Sequence, residues 1–150
     1  EETTLLALAD ANLTHRRHND AVEIYQRILQ SNPDHLLALN NLALTYQATN
    51  NPRAKEIAEK PYQLNAMNPV IADTFGWILV QQGDLERGKQ LLEQAFRAMP
   101  DQPGVGFHLA IAKSKAGDNV GARESLARAL ASKEPFDERQ EAEALAKQLK

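Results

Sequence analysis

The stretch DTFGWILVQQGDLERGKQLLEQAFRAMP, residues 73–100, decides the fold of this chain. It contains two segments in which apolar residues recur at helical spacing, separated by a Gly83-Asp84 turn. The small residues Gly76 and Gly88, one in each segment, allow two helices to approach closely. The apolar residues expected to face inward are Phe75, Leu79, Leu91, Leu92, Ala95 and Phe96. The stretch therefore predicts a helix, a turn and a second helix packed on the first.

The same spacing of small residues recurs along the whole chain, with successive copies 33 or 34 residues apart. In the first helix of each copy the small residues are Ala9, Ala43, Gly76 and Ala110. In the second helix they are Ala21, Ala54, Gly88 and Ala122. A fixed period of this length is typical of repeat proteins, in which similar units stack on one another. The chain is therefore predicted to contain four such units.

This pattern resembles the tetratricopeptide repeat, a helix–turn–helix unit of 34 residues with a proline near its end, here met by Pro33 and Pro100. The resemblance implies an all-α fold, a right-handed superhelix of about four repeats within one domain spanning 1–150. The expected repeats are at about 2–35, 36–68, 69–102 and 103–136. Because the chain begins without methionine, we expect it to be a fragment of a longer protein.

A capping helix is expected after the fourth repeat, at 137–149. The last unit of such an array leaves an apolar face uncovered, and a helix with one polar side can cover it. The apolar stripe that fits this role consists of Ala142, Leu145, Ala146 and Leu149.

Several residues predict where helices begin. Asp34 is a favourable N-cap for the second unit. Asn51, Asn68 and Gln102 are each followed by a proline, and proline is favoured at the first helical position because its missing N–H costs nothing there. Each of the three is therefore predicted to cap a helix that starts at the next residue.

Two places depart from the repeat pattern. Residues 15–18, HRRH, lack the glycine expected between two paired helices, so we expect a looser turn there. Pro61 lies inside a predicted helix, where it removes the hydrogen bond to the carbonyl of Ile57 at a cost on the order of 3 kcal/mol. We expect a kink or an early stop of that helix.

Composition excludes several classes of function. The 150 residues include 17 basic and 20 acidic residues, a formal net charge of -3 that does not favour binding to nucleic acid or to an anionic membrane surface. There is no cysteine, so disulfides and thiolate chemistry are absent. No apolar run is long enough for direct membrane insertion.

The chain also lacks motifs of catalysis. His15 and His18 are three residues apart but have no third ligand at metal-binding spacing. There is no G-x-S-x-G, no phosphate-binding glycine loop and no carboxylate pair in apolar surroundings. We therefore predict that the protein is not an enzyme and has no cofactor or metal.

The inner side of each first helix lines a concave groove in the tetratricopeptide family, and the resemblance places the candidate binding residues there. They are Asn40, Asn41, Leu44, Asp73, Thr74, Trp77, Gln81, Phe107, His108 and Ile111. Amide groups can bond an extended backbone, and Trp77 and Phe107 offer flat apolar contacts. We predict a non-catalytic scaffold that binds a protein or peptide in this groove, with self-association as another interaction. The structural alternative is that Trp77 is half buried between first helices while the asparagines face water.

Two narrower resemblances bear on the partner. Chaperone-binding members of the family hold a C-terminal carboxylate with lysine and arginine, but among the matching positions here only Asn41 agrees, so an Hsp70 or Hsp90 adaptor is disfavoured. The second half of the chain is similar to bacterial proteins of the exosortase and PEP-CTERM export system. That resemblance implies the alternative of an accessory arm of an envelope, exopolysaccharide export or glycosyltransferase machine. It would place the protein in the periplasm or cell envelope, and otherwise we expect it in the cytoplasm.

Overall fold

In a computed structural model that describes residues 1–150, the chain forms nine α-helices and no β-strand. The helices are α1 Glu2–Thr14, α2 His18–Ser31, α3 Leu36–Ala48, α4 Ala54–Leu64, α5 Pro69–Gln81, α6 Leu85–Ala98, α7 Pro103–Lys115, α8 Asn119–Ala131 and α9 Arg139–Gln148. The prediction of an all-α fold built from tetratricopeptide-type helix pairs and a C-terminal capping helix is confirmed. None of the helices has the length and apolarity needed to cross a membrane.

Internal contacts divide the chain into two compact units. Residues 1–66 hold α1 to α4, in which α1 packs on α2, α2 on α3 and α3 on α4. Residues 67–150 hold α5 to α9, in which α5 packs on α6 and also touches α7, α6 packs on α7, and α7 packs on α8. The predicted boundary between the second and third repeats, at 68/69, is close to the division between the units.

The two helices of the central pair touch backbone to backbone. A Cβ atom at Gly88 would lie 2.8 Å from the carbonyl oxygen of Gly76, and one at Gly76 would lie 2.9 Å from that of Gly88. Neither contact could be relieved by moving a side chain. Around it pack Phe75, Leu79 and Leu92, each fully buried. The glycine pair therefore allows α5 and α6 to bring their apolar faces together.

The turn within each pair has one conformation in all four copies. Its central residue has a positive φ, at Arg16 (57°), Asn50 (55°), Gly83 (94°) and Gly117 (84°). The next residue donates its N–H to a carbonyl five residues earlier, over 2.8 Å from Arg17 to Asn12 and 2.9 Å from Asp84 to Leu79. The prediction of a looser turn at residues 15–18 is wrong, because these hydrogen bonds come from the backbone and form whether or not the residue is glycine.

Helix starts agree with prediction in the second unit and differ in the first. Asn68 caps α5, since its Oδ1 accepts from the N–H groups of Val70 and Ile71. Helix α7 begins at Pro103 as predicted, but the Gln102 side chain makes no capping hydrogen bond. The predicted cap Asp34 is wrong, because α3 is capped by the ring nitrogen Nδ1 of His35, which accepts from the N–H of Ala38.

The start predicted at Pro52 is also wrong. Asn51 accepts from the N–H of Arg53 with its side chain, over 3.0 Å, but helix α4 begins at Ala54. The cap-like contact therefore closes a turn ahead of the helix.

Pro61 lies within α4 and does not end it. The helix continues to Leu64, and the N–H of Asn65 still bonds the carbonyl of Pro61 over 2.9 Å. The predicted early stop is wrong because the proline removes only its own N–H and leaves the donors after it in place. Its ring is buried and occupies the position where the other units carry Ile28, Ala95 and Ala129.

Helix α9 covers the end of the second unit. Ala142 is fully buried against Phe107, Ala110 and Leu126 of α7 and α8, with Leu145, Ala146 and Leu149 packed around them. The stripe predicted for the capping helix is confirmed, although the helix is shorter than 137–149. It begins at Arg139 and ends at Gln148.

We expect Gly88→Ala to lower the free energy of unfolding by about 1–3 kcal/mol, because the added methyl group meets backbone atoms that cannot move aside. The matched control is Gly104→Ala, where a Cβ atom has nothing within 4 Å. There the stability should be unchanged or raised by up to about 1 kcal/mol. Urea unfolding measures both changes. Equal stability of Gly88→Ala and the parent protein would contradict the close approach of the two helices.

Arg16→Gly is expected to raise the free energy of unfolding. An L-residue with a left-handed backbone costs roughly 1–2 kcal/mol, part of which the flexibility of glycine in the unfolded chain offsets, so a net gain of up to about 1 kcal/mol remains. Asn50→Gly is the control and should gain less, because asparagine tolerates this conformation. Thermal unfolding compares the two, and a less stable Arg16→Gly protein would refute the reasoning.

Candidate functional site

The predicted binding residues lie on the first helices of three pairs. Asn40, Asn41 and Leu44 are on α3 in the first unit, and the other seven are on α5 and α7 in the second unit. The group on α5 and α7 is the larger of the two.

A buried histidine joins three elements of the second unit. The Nδ1–H of His108 on α7 donates to Oδ1 of Asp73 on α5 over 2.9 Å. Its Nε2 lies 3.8 Å from Oε1 of Glu138, the residue that precedes α9. The His108 side chain is 11% exposed and that of Asp73 is 16% exposed, so the contact between them is largely screened from water. The cluster thus ties α5, α7 and the start of α9 together.

Two aromatic rings flank the histidine. The Trp77 ring stacks on the His108 imidazole with centroids 4.3 Å apart and planes 16° from parallel. The Phe107 ring is 6.3 Å from Trp77 at 47°. Trp77 is half buried, and the rest of its surface faces outward. This is the placement that the structural alternative predicts for Trp77, between neighbouring first helices.

The charge of His108 follows from its surroundings. Burial by itself would lower the pKa of His108, but the carboxylates of Asp73 and Glu138 outweigh it and raise that pKa from 6.5 to about 9. The same contact with His108 lowers the pKa of Glu138. His108 is therefore a cation at neutral pH, with both ring nitrogens protonated.

Protonation disfavours His108 as a metal ligand, because ligation needs a free ring nitrogen. No set of three or more His, Asp or Glu side chains in the chain is arranged to hold a metal ion. The arrangement instead places a fixed cation beneath an indole ring and beside a carboxylate. Such a ring over a cation is electrostatically favourable.

Burial separates the predicted residues into two sets. Thr74 and Phe107 are each 4% exposed, and Phe107 packs into the core beneath α9. Little of either side chain is open to an incoming peptide, and His108 is buried as well. Burial disfavours the direct peptide contacts predicted for these three residues. The partly or fully exposed residues of the predicted set on α5 and α7 are Asp73, Trp77, Gln81 and Ile111.

The first unit has a separate polar network on α1, α2 and α3. The buried Tyr25 hydroxyl donates to Oδ1 of Asp10 over 3.3 Å. Burial raises the pKa of Tyr25 to about 12, opposed by a hydrogen bond with Asn41 and increased by Asp10. Asn41 also accepts from Nδ2 of Asn40 over 3.4 Å. Asn40 is 4% exposed, so the expectation that the asparagines face water is wrong for this residue. Leu44 is exposed.

Glu138 is the functional-site residue that sequence reasoning missed. Its position in the chain indicates only a charge near the start of the capping helix. Its contact with His108 depends on how α9 folds back onto α7. No local sequence pattern indicates the distance between the two side chains. Its proximity to a histidine on a neighbouring helix could have been inferred only from the stacking geometry.

The stability that His108 contributes should depend on pH. Its pKa is raised in the folded state, so this stabilisation is complete below about pH 6.5 and is lost as the pH rises through about 9. The full shift corresponds to about 3 kcal/mol as an upper limit. The difference in unfolding free energy between the parent protein and His108→Gln, measured by urea unfolding at pH 6 to 10, should fall by up to that amount. A difference that does not change with pH would show that His108 is not held as a cation.

The fluorescence of Trp77 reports the same titration, because Trp77 is the only tryptophan and stacks on His108. A protonated imidazole in contact with an indole quenches its emission. We expect emission to rise with a midpoint near pH 9, and Asp73→Asn to move the midpoint down.

Comparisons with known proteins identify the family of the fold. Models of the family described as tetratricopeptide repeat match residues 79–149 and residues 3–35, which together make up more than half of the chain. The TPR repeat-containing protein PA4667 of Pseudomonas aeruginosa is 36% identical over 84 residues, 55% of this chain. The match covers 14% of that protein's length.

Solved structures share the fold. TTC0263, a thermophilic TPR protein of Thermus thermophilus, matches with a TM-score of 0.83 at 21% identity over 99% of this chain and 81% of its own. MamA 41-end from Desulfovibrio magneticus RS-1 matches with 0.72 at 16% identity, covering 86% and 73%. The Sgt2 TPR domain from Aspergillus fumigatus matches with 0.72 at 20% identity, covering 79% and 80%. With the repeat spacing, the helix pairs and the family matches in agreement, the chain belongs to the tetratricopeptide repeat family.

Proposed function

We propose that this chain is a non-catalytic module that binds a protein or peptide partner on one face of its second unit. Proteins built from these repeats generally serve as protein-binding scaffolds, which supports this class of function. The face, called here the α5–α7 face, is defined by residues at helical spacing on the two helices. They are Val70, Asp73, Trp77 and Gln81 on α5, and Gly104, His108, Ile111 and Lys115 on α7.

The observation that carries the proposal is the supported tryptophan. Trp77 is half buried and stacks on a buried cation, so its ring is held in one orientation while part of it stays open to solvent. Large aromatic side chains of this kind dominate binding energy in protein interfaces. Holding the ring in place before binding reduces the entropy lost when a partner docks.

Polar groups on the same face can orient the partner. Gln81 is exposed and can both donate to and accept from a peptide backbone. Asp73 is fixed by its bond to His108, so its carboxylate has a defined position. Val70, 50% exposed, adds apolar surface next to these groups. A rim of polar groups around an apolar centre is the usual composition of a protein interface.

The narrower hypothesis of an accessory arm in an envelope export machine gains no support from the comparisons. It predicts an export or glycosyltransferase-like domain elsewhere in the full-length protein. The binding module proposed here predicts a ligand for the α5–α7 face whatever the flanking domains are.

The proposal can be tested with peptides selected from a random 12-residue library on the immobilised protein. Trp77→Ala should weaken their affinity about tenfold or more, as expected for an interface hot spot. Val120→Ala is the matched control: it removes an apolar side chain that is 59% exposed on α8, away from this face, and should leave the affinity unchanged. Isothermal titration calorimetry measures all three proteins.

Trp77→Ala also removes packing. A second variant therefore separates a lost contact with the peptide from a destabilised fold. Gln81→Arg alters an exposed side chain on the same face and leaves the packed residues in place. It should likewise weaken the selected peptides. Peptides that bind the parent, Trp77→Ala and Gln81→Arg proteins equally would rule out the α5–α7 face as the binding site.

A further inference from the structure

A cavity of ≈470 Å³ opens at the N-terminal end of the α5–α7 face. It lies where α5 and α7 begin and where the chain passes from α6 to α7. Its lining residues are Val70, Asp73, Met99, Gln102, Gly104 and Val105. All of them belong to the second unit, so the cavity is formed within one compact body. Its walls combine one carboxylate with three apolar side chains.

The carboxylate in this wall retains the capacity to accept hydrogen bonds. Asp73 uses Oδ1 for its bond to His108, and its other oxygen stays available as an acceptor. A carboxylate can accept several hydrogen bonds at once. Because His108 holds Asp73 from the core side, the side chain cannot turn away from the cavity without losing that bond.

The charge balance at this end of the face is negative. Asp73 and Glu138 each carry a negative charge, and His108 between them carries one positive charge. The sum is one negative charge beside the cavity. The uncapped start of α7 contributes an opposing partial charge of about +0.5, smaller than that of the carboxylate. An acidic side chain would meet Asp73 at close range, which disfavours it.

The rest of the wall fits an aliphatic chain. Val70 is 50% exposed, and Met99 and Val105 lie on the same cavity. Gly104 leaves open space, since a Cβ atom there would have nothing within 4 Å. Lysine and arginine bury their methylene stems on apolar surface while their charged ends reach a polar partner. The cavity offers both: apolar side chains for the stem and the Asp73 carboxylate for the charged end.

We infer that this cavity is a subsite for a lysine or arginine side chain of the peptide that binds the α5–α7 face. The inference rests on the proposed function and adds the chemistry of the partner. The stem lies against Val70 and Met99, and the cationic head donates to Asp73. The peptide's own carbonyl oxygen can accept from the free N–H groups at the start of α7, since the first turn of a helix has no internal partner for them. The partner is thereby identified as a basic peptide segment.

The test uses two small probes that differ in charge and hardly in shape. They are Nα-acetyl-arginine methylamide and its neutral citrulline counterpart. Titrations followed by amide chemical shifts should move the signals of Gly104 and Val105, with the arginine probe binding roughly fivefold or more tightly than the citrulline probe. Asp73→Asn should make the two probes equal. Gly104→Leu fills the cavity without meeting a neighbour at its Cβ position and should abolish both responses.

The outcomes separate the subsite from the binding module. Equal affinity for the two probes, shifts confined to other residues, no response, or tighter binding of an Nα-acetyl-glutamate probe would each overturn the basic subsite. If the library-selected peptides still depend on Trp77 in that case, the α5–α7 face stands and only the chemistry of this subsite is wrong. If those peptides show no such dependence, both proposals fail.

Discussion

The close approach of two helices at a pair of small residues is the constraint on which the rest of this structure depends. At Gly76 and Gly88 the two backbones come so near that a methyl group on either would meet a carbonyl oxygen. In the other three pairs alanines occupy the matching positions, and all of them are fully buried. A larger side chain at these points would push the helices apart and break the apolar contacts on both sides. The spacing of small residues therefore sets the geometry of each unit.

Much of the fold could be predicted from that spacing, and the misses have a common cause. The period, the helix pairs and the apolar stripe of α9 follow from side-chain patterns that repeat along the chain. The turn at Arg16 and the helix across Pro61 were mispredicted because backbone hydrogen bonds maintain them and tolerate an unfavourable residue. The cap at His35 was missed because histidine is a less common N-cap than the aspartate beside it. Sequence patterns thus indicate which helix faces pack together. They are less informative about which unfavourable residues a turn or a helix can accommodate.

For the candidate site, the sequence indicated which helices carry the residues but not how their side chains contact one another. The repeat register put Asp73, Trp77 and His108 on neighbouring first helices, and in the structure their side chains are in contact. It could not say that His108 is a buried cation bonded to Asp73, because that depends on the distance between α5 and α7. Nor could it distinguish the buried Phe107 from the partly exposed Trp77. Both aromatic residues lie on a first helix, and their burial depends on α9 for Phe107 and on the neighbouring rings for Trp77.

The buried charges on this face have a cost that folding alone does not explain. A buried ion pair is often no more stabilising than apolar residues of the same size, because both charges lose their water. The histidine does, however, fix two neighbours at once: it stacks beneath Trp77 and bonds Asp73. An apolar residue in its place could support the indole ring but could not hold the carboxylate. The cluster is therefore better understood as a device that fixes the positions of surface groups. A site held rigid in this way loses little entropy when a partner binds. We therefore expect the cluster to contribute more to partner recognition than to the stability of the fold.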